Sequence, residues 1–416
     1  MNNHLVVQNV RPWVDGKFKK PIDLKLENGI WSDFSDSEAE TFDAEGAYAI
    51  PALFAFGIDF QEPVRDDIYT FEDGFKALRR GGFIGGLYES TANPIDDLQK
   101  LSAVTQIVGK SKLDIRLLGA ISKDFQGEHL AEMLELSQGG VAGFGDGNRK
   151  VGATRFLRLA MEYGSMTGKR FFFLPMDYSL KYKGLVHEGP VSDTLGMKGI
   201  PKLAETIAVH KILELALWLK IPVHFKQITC GESLELIARA KERGLDVTCD
   251  VGVYHLLFDE SHLFGLDSHL NLHPPVRSAL DREALWNGIS SGLVQAISCN
   301  HFPVLPQDKE VNFEDALPGA LSLEILLPAL WNLLKTRVGA IRAIELLSNN
   351  PALLAGARPA ALKLNAPADF VLFQPKGETL VTSSVFSGQV HNSPLLGKSL
   401  QGRILGSYLK GLWSAV

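Results

Sequence analysis

Apolar residues in this chain recur in two rhythms, and the rhythm changes near residues 50 and 365. Over the first fifty residues the pattern is that of short strands and turns. Segment 5–10 is β-prone, Gly16 marks a turn, 22–26 alternates apolar and charged side chains, and Asn28-Gly29 is a hairpin-turn signal. The tail has the same texture, with a strand over 369–373, punctuation at Gly377 and Gly388, and strand-like residues over 402–413. Between these ends, helical and strand patterns alternate. Helices are predicted over 71–80, 95–108, 128–136, 154–167, 201–219, 233–243 and 282–290, several of them closed by glycine (Gly81-Gly82, Gly244, Gly292). Strands are predicted over 84–88, 115–120, 141–144, 170–174, 222–228, 246–251 and 294–299. With a first strand entering at Pro51, this makes about eight β/α units, the count of a (β/α)8 barrel. Periodicity alone does not distinguish a barrel from an open doubly wound sheet. The expected organisation is a TIM-type barrel over 51–364 and a small composite β-sandwich built from 1–50 and 365–416.

Composition narrows the function classes. The chain has 416 residues, 45% hydrophobic and 22% charged, with a net charge of −6. That is the balance of a globular protein, and no Lys/Arg run suggests a nucleic-acid surface. No stretch reaches the ~18 uninterrupted apolar residues of a membrane span. Met1–Pro12 lacks the basic start and apolar run of a signal peptide, so the expected location is the cytoplasm. Cys230, Cys249 and Cys299 are odd in number and widely spaced, which fits buried thiols rather than a disulfide framework or a Cys-based zinc site.

In a barrel, chemistry gathers where strands end. The positions to inspect are Gly57 and Asp59, 89–91, Asp146, 174–177, 227–230, 250–255, and Asn300 with His301. At these places several segments, in order, carry a family pattern: PALFAFGIDFQEP (51–63), GGVAGFGDG (139–147), the GIPKLAE run at 199–205, LHPPVR (272–277), ISCNHFP (297–303), NNPA (349–352) and NSP (392–394). Together they resemble the dihydroorotase branch of the amidohydrolase superfamily nearly end to end. The resemblance implies a zinc-dependent cyclic-amide hydrolase ancestry, in which metal-bound hydroxide attacks the ring amide.

Carried over residue by residue, the family's metal ligands fall, Asp59 apart, on side chains that ligate poorly or not at all. The His-x-His of the first strand falls on Gly57 and Asp59, later histidines on Leu174 and Gln227, and the last-strand aspartate on Asn300. Of the Asp-Asp pair in the fourth loop only Asp146 is present. An amide is a poor zinc ligand and no general base. Substrate contacts change as well: the carboxylate-gripping arginine falls on Gln61, and two asparagines fall on Thr91 and His273. The resemblance therefore implies a chain without its family's catalysis, with no cofactor expected. Its residual pocket would hold Gln61, Thr91, Asp146, Asp177, His224, His273 and His301. The alternative is an altered hydrolase, either metal-free or with one zinc on Asp59, Asp146 and His224. His262, His269 and His273 are read as polar loop residues. No phosphate loop and no nucleophile elbow is present. The resemblance also implies the role: inactive dihydroorotase-like chains in bacteria associate with aspartate carbamoyltransferase in pyrimidine biosynthesis. That enzyme, a homo-oligomer of this chain, or both are the expected partners, with neither nucleic acid nor membrane.

Overall fold

The computed structural model describes residues 4–33, 39–149 and 152–416. Eight parallel strands form one sheet in strict chain order: β1 (Leu53–Ile58), β2 (Phe83–Tyr88), β3 (Asp114–Gly119), β4 (Gly143–Phe144), β5 (Arg170–Phe173), β6 (Val223–Phe225), β7 (Val247–Gly252) and β8 (Ala296–Ser298). The sheet closes where β8 returns to β1. Cys299 N donates to Phe56 O at 2.8 Å, His301 N to Gly57 O at 2.9 Å, and Asp59 N to His301 O at 3.2 Å. The barrel expected from the alternation is present.

Alternation along each strand sets its two faces. On β1, Phe54 and Phe56 point into the barrel with Phe172 and Leu118, while Leu53 and Ala55 face the surrounding helices. On β5 the run Phe171-Phe172-Phe173 divides the same way, its middle ring inside and its outer two against helices. All three are buried. The interior is a packed core, and chemistry is confined to the ends of the strands.

Helix boundaries follow the caps. Helix Phe71–Gly81 starts at Thr70, which forms a reciprocal capping box with Asp73, and ends at Gly82 in the left-handed region. The helix predicted from Ile95 begins at Leu98, because Asp97 accepts the Lys100 N–H and caps it there. The helix predicted from Glu128 begins only at Met133, the preceding residues being spent on turns and a bridge between Ser122 and Leu130. Helix Ala279–Ser290 begins three residues before its predicted start, capped by Ser278.

Both chain ends join one nine-stranded sheet. Its long strand His4–Val14 turns between partners. One half pairs with Ile22–Glu27 and Glu40–Asp43, the other with Tyr48–Pro51. Tyr48–Pro51 in turn pairs with Phe370–Leu380 from the far end of the chain. A separate apolar cluster including Val7, Leu24, Ala49, Phe370 and Tyr408 lies beneath it.

Candidate functional site

The site is built where β1, β2, β4, β6 and β8 release the chain. Gly57 adopts φ +70°, a left-handed conformation that disfavours any L side chain. A Cβ there would meet nothing nearer than Asn300 N at 3.5 Å, an ordinary van der Waals contact, so backbone conformation rather than space selects glycine. Asp59 follows and is buried. One of its oxygens accepts from Gln61 N at 2.8 Å; the other accepts from Thr91 N at 2.8 Å and from the Thr91 hydroxyl. Burial raises its pKa against the pull of these bonds. Asp59 thus staples the β1 exit to the β2 exit.

Asp146 does the same between β3 and β4. It accepts from Ile121 N at 2.7 Å, Ser122 N at 3.0 Å and Ser122 Oγ at 2.6 Å. Burial pushes its pKa up to about 6. His224 lies deeper, inside the barrel against Phe56 and Phe172. Its Nε2 faces Asp250 Oδ2 at 2.9 Å and its Nδ1 faces Thr248 Oγ1 at 2.8 Å, which engages both ring nitrogens. The other oxygen of Asp250 accepts from Gln227 N at 2.9 Å.

Two residues absent from the expected set dominate the floor of the site. Glu89, immediately after β2, and Lys226, immediately after β6, form a direct ion pair with side chains only 13% and 7% exposed. Lys226 also donates to Gly147 O at 3.1 Å, and Glu89 Oε1 accepts from Gly147 N at 2.9 Å. A Cβ added at Gly145 would lie 2.4 Å from Glu89 Oε1 and 2.9 Å from Phe172 O. The Glu89 carboxylate therefore fills the space into which a side chain at 145 would grow. The sequence signal was a single charged residue directly after each apolar strand, which strand-end inspection reached at Glu89 and missed at Lys226.

Gln227 and Asn300 pair with each other, Gln227 Nε2 donating to Asn300 Oδ1 at 3.0 Å. Both have positive φ, +51° and +47°. His301 Nδ1 accepts from Ser322 N at 3.2 Å and Leu323 N at 3.4 Å, which places the proton on Nε2. Burial lowers its pKa to about 3, so the ring is neutral. His273 is neutral for the same reason, at about 3, and meets the Tyr178 hydroxyl at 3.2 Å.

Gly57, Asp59, Thr91, Gln227, Asn300 and His301 are brought together, with Glu89 and Lys226, around a cavity of about 30 Å³. A wider cleft of about 270 Å³ opens beyond it, walled by Arg149, His273, Phe302 and Leu317. Asp146, Leu174, Gln61 and His224 are buried in the packing and line neither space. Asp177 stands apart as the cap of helix Tyr178–Lys181, and its bond from the Ser179 hydroxyl lowers its pKa. The remaining loop histidines do not converge: His262 meets Asp259 and His269 meets Asp267. In the loop beyond Asp177, Val186 is buried and paired with Gly199, while Tyr182 is 72% exposed. Among the described residues no three His, Cys, Asp or Glu side chains group so as to hold a metal ion. No helix of the described residues is long and apolar enough to cross a membrane.

No protein-family model matches the chain. Individual proteins do. A dihydroorotase-like protein of Pseudomonas aeruginosa is 33% identical over 381 residues, 90% of this chain and 89% of that protein. A dihydroorotase of Geobacter sp. is 32% identical over 377 residues, 89% and 88% of the two chains. Among solved structures, the L-hydantoinase of Arthrobacter aurescens superposes with a TM-score of 0.82 at 21% identity, over 99% of this chain and 96% of that one. A D-hydantoinase gives 0.81 at 20% identity, over 98% and 94%. These two share the fold, a barrel with a sheet from the termini. Identity above thirty per cent over nine-tenths of the length carries the kinship: this chain belongs to the dihydroorotase family.

Proposed function

We propose that this chain is a non-catalytic dihydroorotase-like protein with a structural or regulatory role in pyrimidine biosynthesis, as a partner of aspartate carbamoyltransferase. One observation carries the first half. The groups best able to serve as metal donors, Asp59, Asp146 and His224, are consumed by hydrogen bonds within the fold. Zinc needs lone pairs that converge on one point, and these three are spent on three separate neighbourhoods. Leu174 and Gly57 offer no donor, and Gln227 and Asn300 offer only amide oxygens, which are poor zinc ligands, that of Asn300 already accepting from Gln227 Nε2. The residues present therefore do not fit the family's zinc, and no step is routed through it. The space beside them, about 30 Å³, holds a water molecule or two, and the cleft of about 270 Å³ beyond it is lined by none of Asp59, Asp146 and His224.

The partner follows from the family resemblance: a barrel that no longer turns over substrate still presents its outer helices and loops for assembly. Three measurements on the purified chain test the proposal. Elemental analysis is expected to find no stoichiometric zinc, and dihydroorotate to be neither formed nor opened. Co-expression with aspartate carbamoyltransferase is expected to give a complex stable at about micromolar concentration. Turnover of a cyclic amide, with or without metal, would overturn the first half; clean separation of the two proteins at that concentration would overturn the second.

A further inference from the structure

The loss of metal donors leaves a question of charge. Glu89 is a carboxylate held almost out of water at this end of the barrel, its side chain only 13% exposed. A buried negative charge calls for a cation. We propose that the Lys226 ammonium is that cation, built into the chain and tying strand ends together in place of a metal ion. The inference rests on the non-catalytic reading above.

The geometry supports the role of a tie. Lys226 leaves β6, Glu89 leaves β2, and Gly147 belongs to the loop after β4. The ammonium reaches Glu89 Oε2 and Gly147 O, while Glu89 Oε1 takes the Gly147 N–H. The three groups close a ring across three strands that are not neighbours in the sheet. The pair is nearly dry, so each charge depends on the other. The 2.4 Å approach between Glu89 and a Cβ at Gly145 shows the carboxylate already seated where another side chain would have to go.

Unfolding of the full chain tests this with Glu89→Leu, Lys226→Met and the double variant. Each single variant leaves one charge buried alone and is expected to lower Tm by about 5 °C or more. The double variant removes both charges and is expected to recover more than half of the larger loss. Lys226→Ala, which leaves the Glu89 carboxylate and the Gly147 carbonyl without their cation and does not fill the space, is expected to regain part of its lost Tm on adding manganese(II), an ion suited to such oxygens. The wild type is expected to be indifferent to manganese. Additive losses in the double variant would overturn the tie. A Lys226→Ala protein blind to manganese would reduce the pair to an ordinary buried ion pair and overturn the replacement of a metal. Should the alanine variant not fold, the double variant carries the test, and its failure to fold also overturns the proposal. Zinc content separates the two readings. Stoichiometric zinc in the wild type removes the premise, whereas a zinc-free wild type with additive losses sinks this inference alone.

Discussion

At Gly145 space is closed to a side chain, while its neighbour Asp146 is engaged in structure. Gly145→Asp drives its Cβ against Glu89 and the Phe172 carbonyl. The expected cost is about 1–3 kcal/mol of stability, read from urea unfolding, with no zinc gained. Asp146 carries a pH signature. Its folded pKa of about 6 lies above the 3.8 of a free side chain, because burial opposes ionisation more than its three hydrogen bonds favour it. The folded state then holds an extra proton between those values. Stability contributed by this group is fully present below 3.8 and is lost as pH rises through 6, by on the order of 3 kcal/mol at most. Asp146→Asn abolishes that component, so the difference in unfolding free energy between wild type and variant is expected to change between pH 4 and 7 and to be flat above it.

Among the elements, helix Phe71–Gly81 supports the β1 exit directly. Its Gly74 faces the Phe60 ring, one residue beyond Asp59, and a Cβ there would stand 2.6 Å from ring carbons. On helix propensity alone Gly74→Ala gains up to about 1 kcal/mol. The clash reverses the sign, and a net loss of about 1–2 kcal/mol is expected by thermal unfolding. Thr70→Ala removes the side-chain half of the capping box and is expected to cost about 1 kcal/mol. The caps also show what was legible locally. Glycine stops after residues 80, 243 and 291 were readable in the sequence, whereas the starts at Leu98 and Ala279 depended on Asp97 and Ser278 accepting particular N–H groups. Side-chain caps compete with many other turn uses of Asp and Ser, so composition alone does not single them out.

Across the whole molecule, buried histidines dominate the response to acid. His255, His273 and His301 are held neutral by burial, with pKa values of about 4, 3 and 3 against 6.5 when unfolded. A depressed folded pKa contributes stability that is present above 6.5 and lost as pH falls toward the folded value. Each ring costs about 1.4 kcal/mol per pH unit across that window. The protein is therefore expected to lose several kcal/mol between pH 7 and 5, measured by urea unfolding, and Asp146 recovers only part of this below pH 6. His273→Asn, which keeps a polar group beside Tyr178, is expected to make that slope shallower by about one proton.

The sequence by itself determined the alternation of about eight β/α units and the places where strands end, because side-chain period and glycine punctuation are local properties that each segment carries alone. The positions Gly57, Asp59, Leu174, Gln227 and Asn300 were legible for the same reason, each lying at a strand end. The strand order and the closure of β8 onto β1 were decided by the tertiary structure, which also decided what those ends do. That Asp59 is spent on Thr91, Asp146 on Ser122 and His224 on Asp250 depends on which strands meet, and no single segment records it. Glu89 and Lys226 are 137 residues apart, and their pairing exists only because the closed barrel brings the ends of β2 and β6 to face one site.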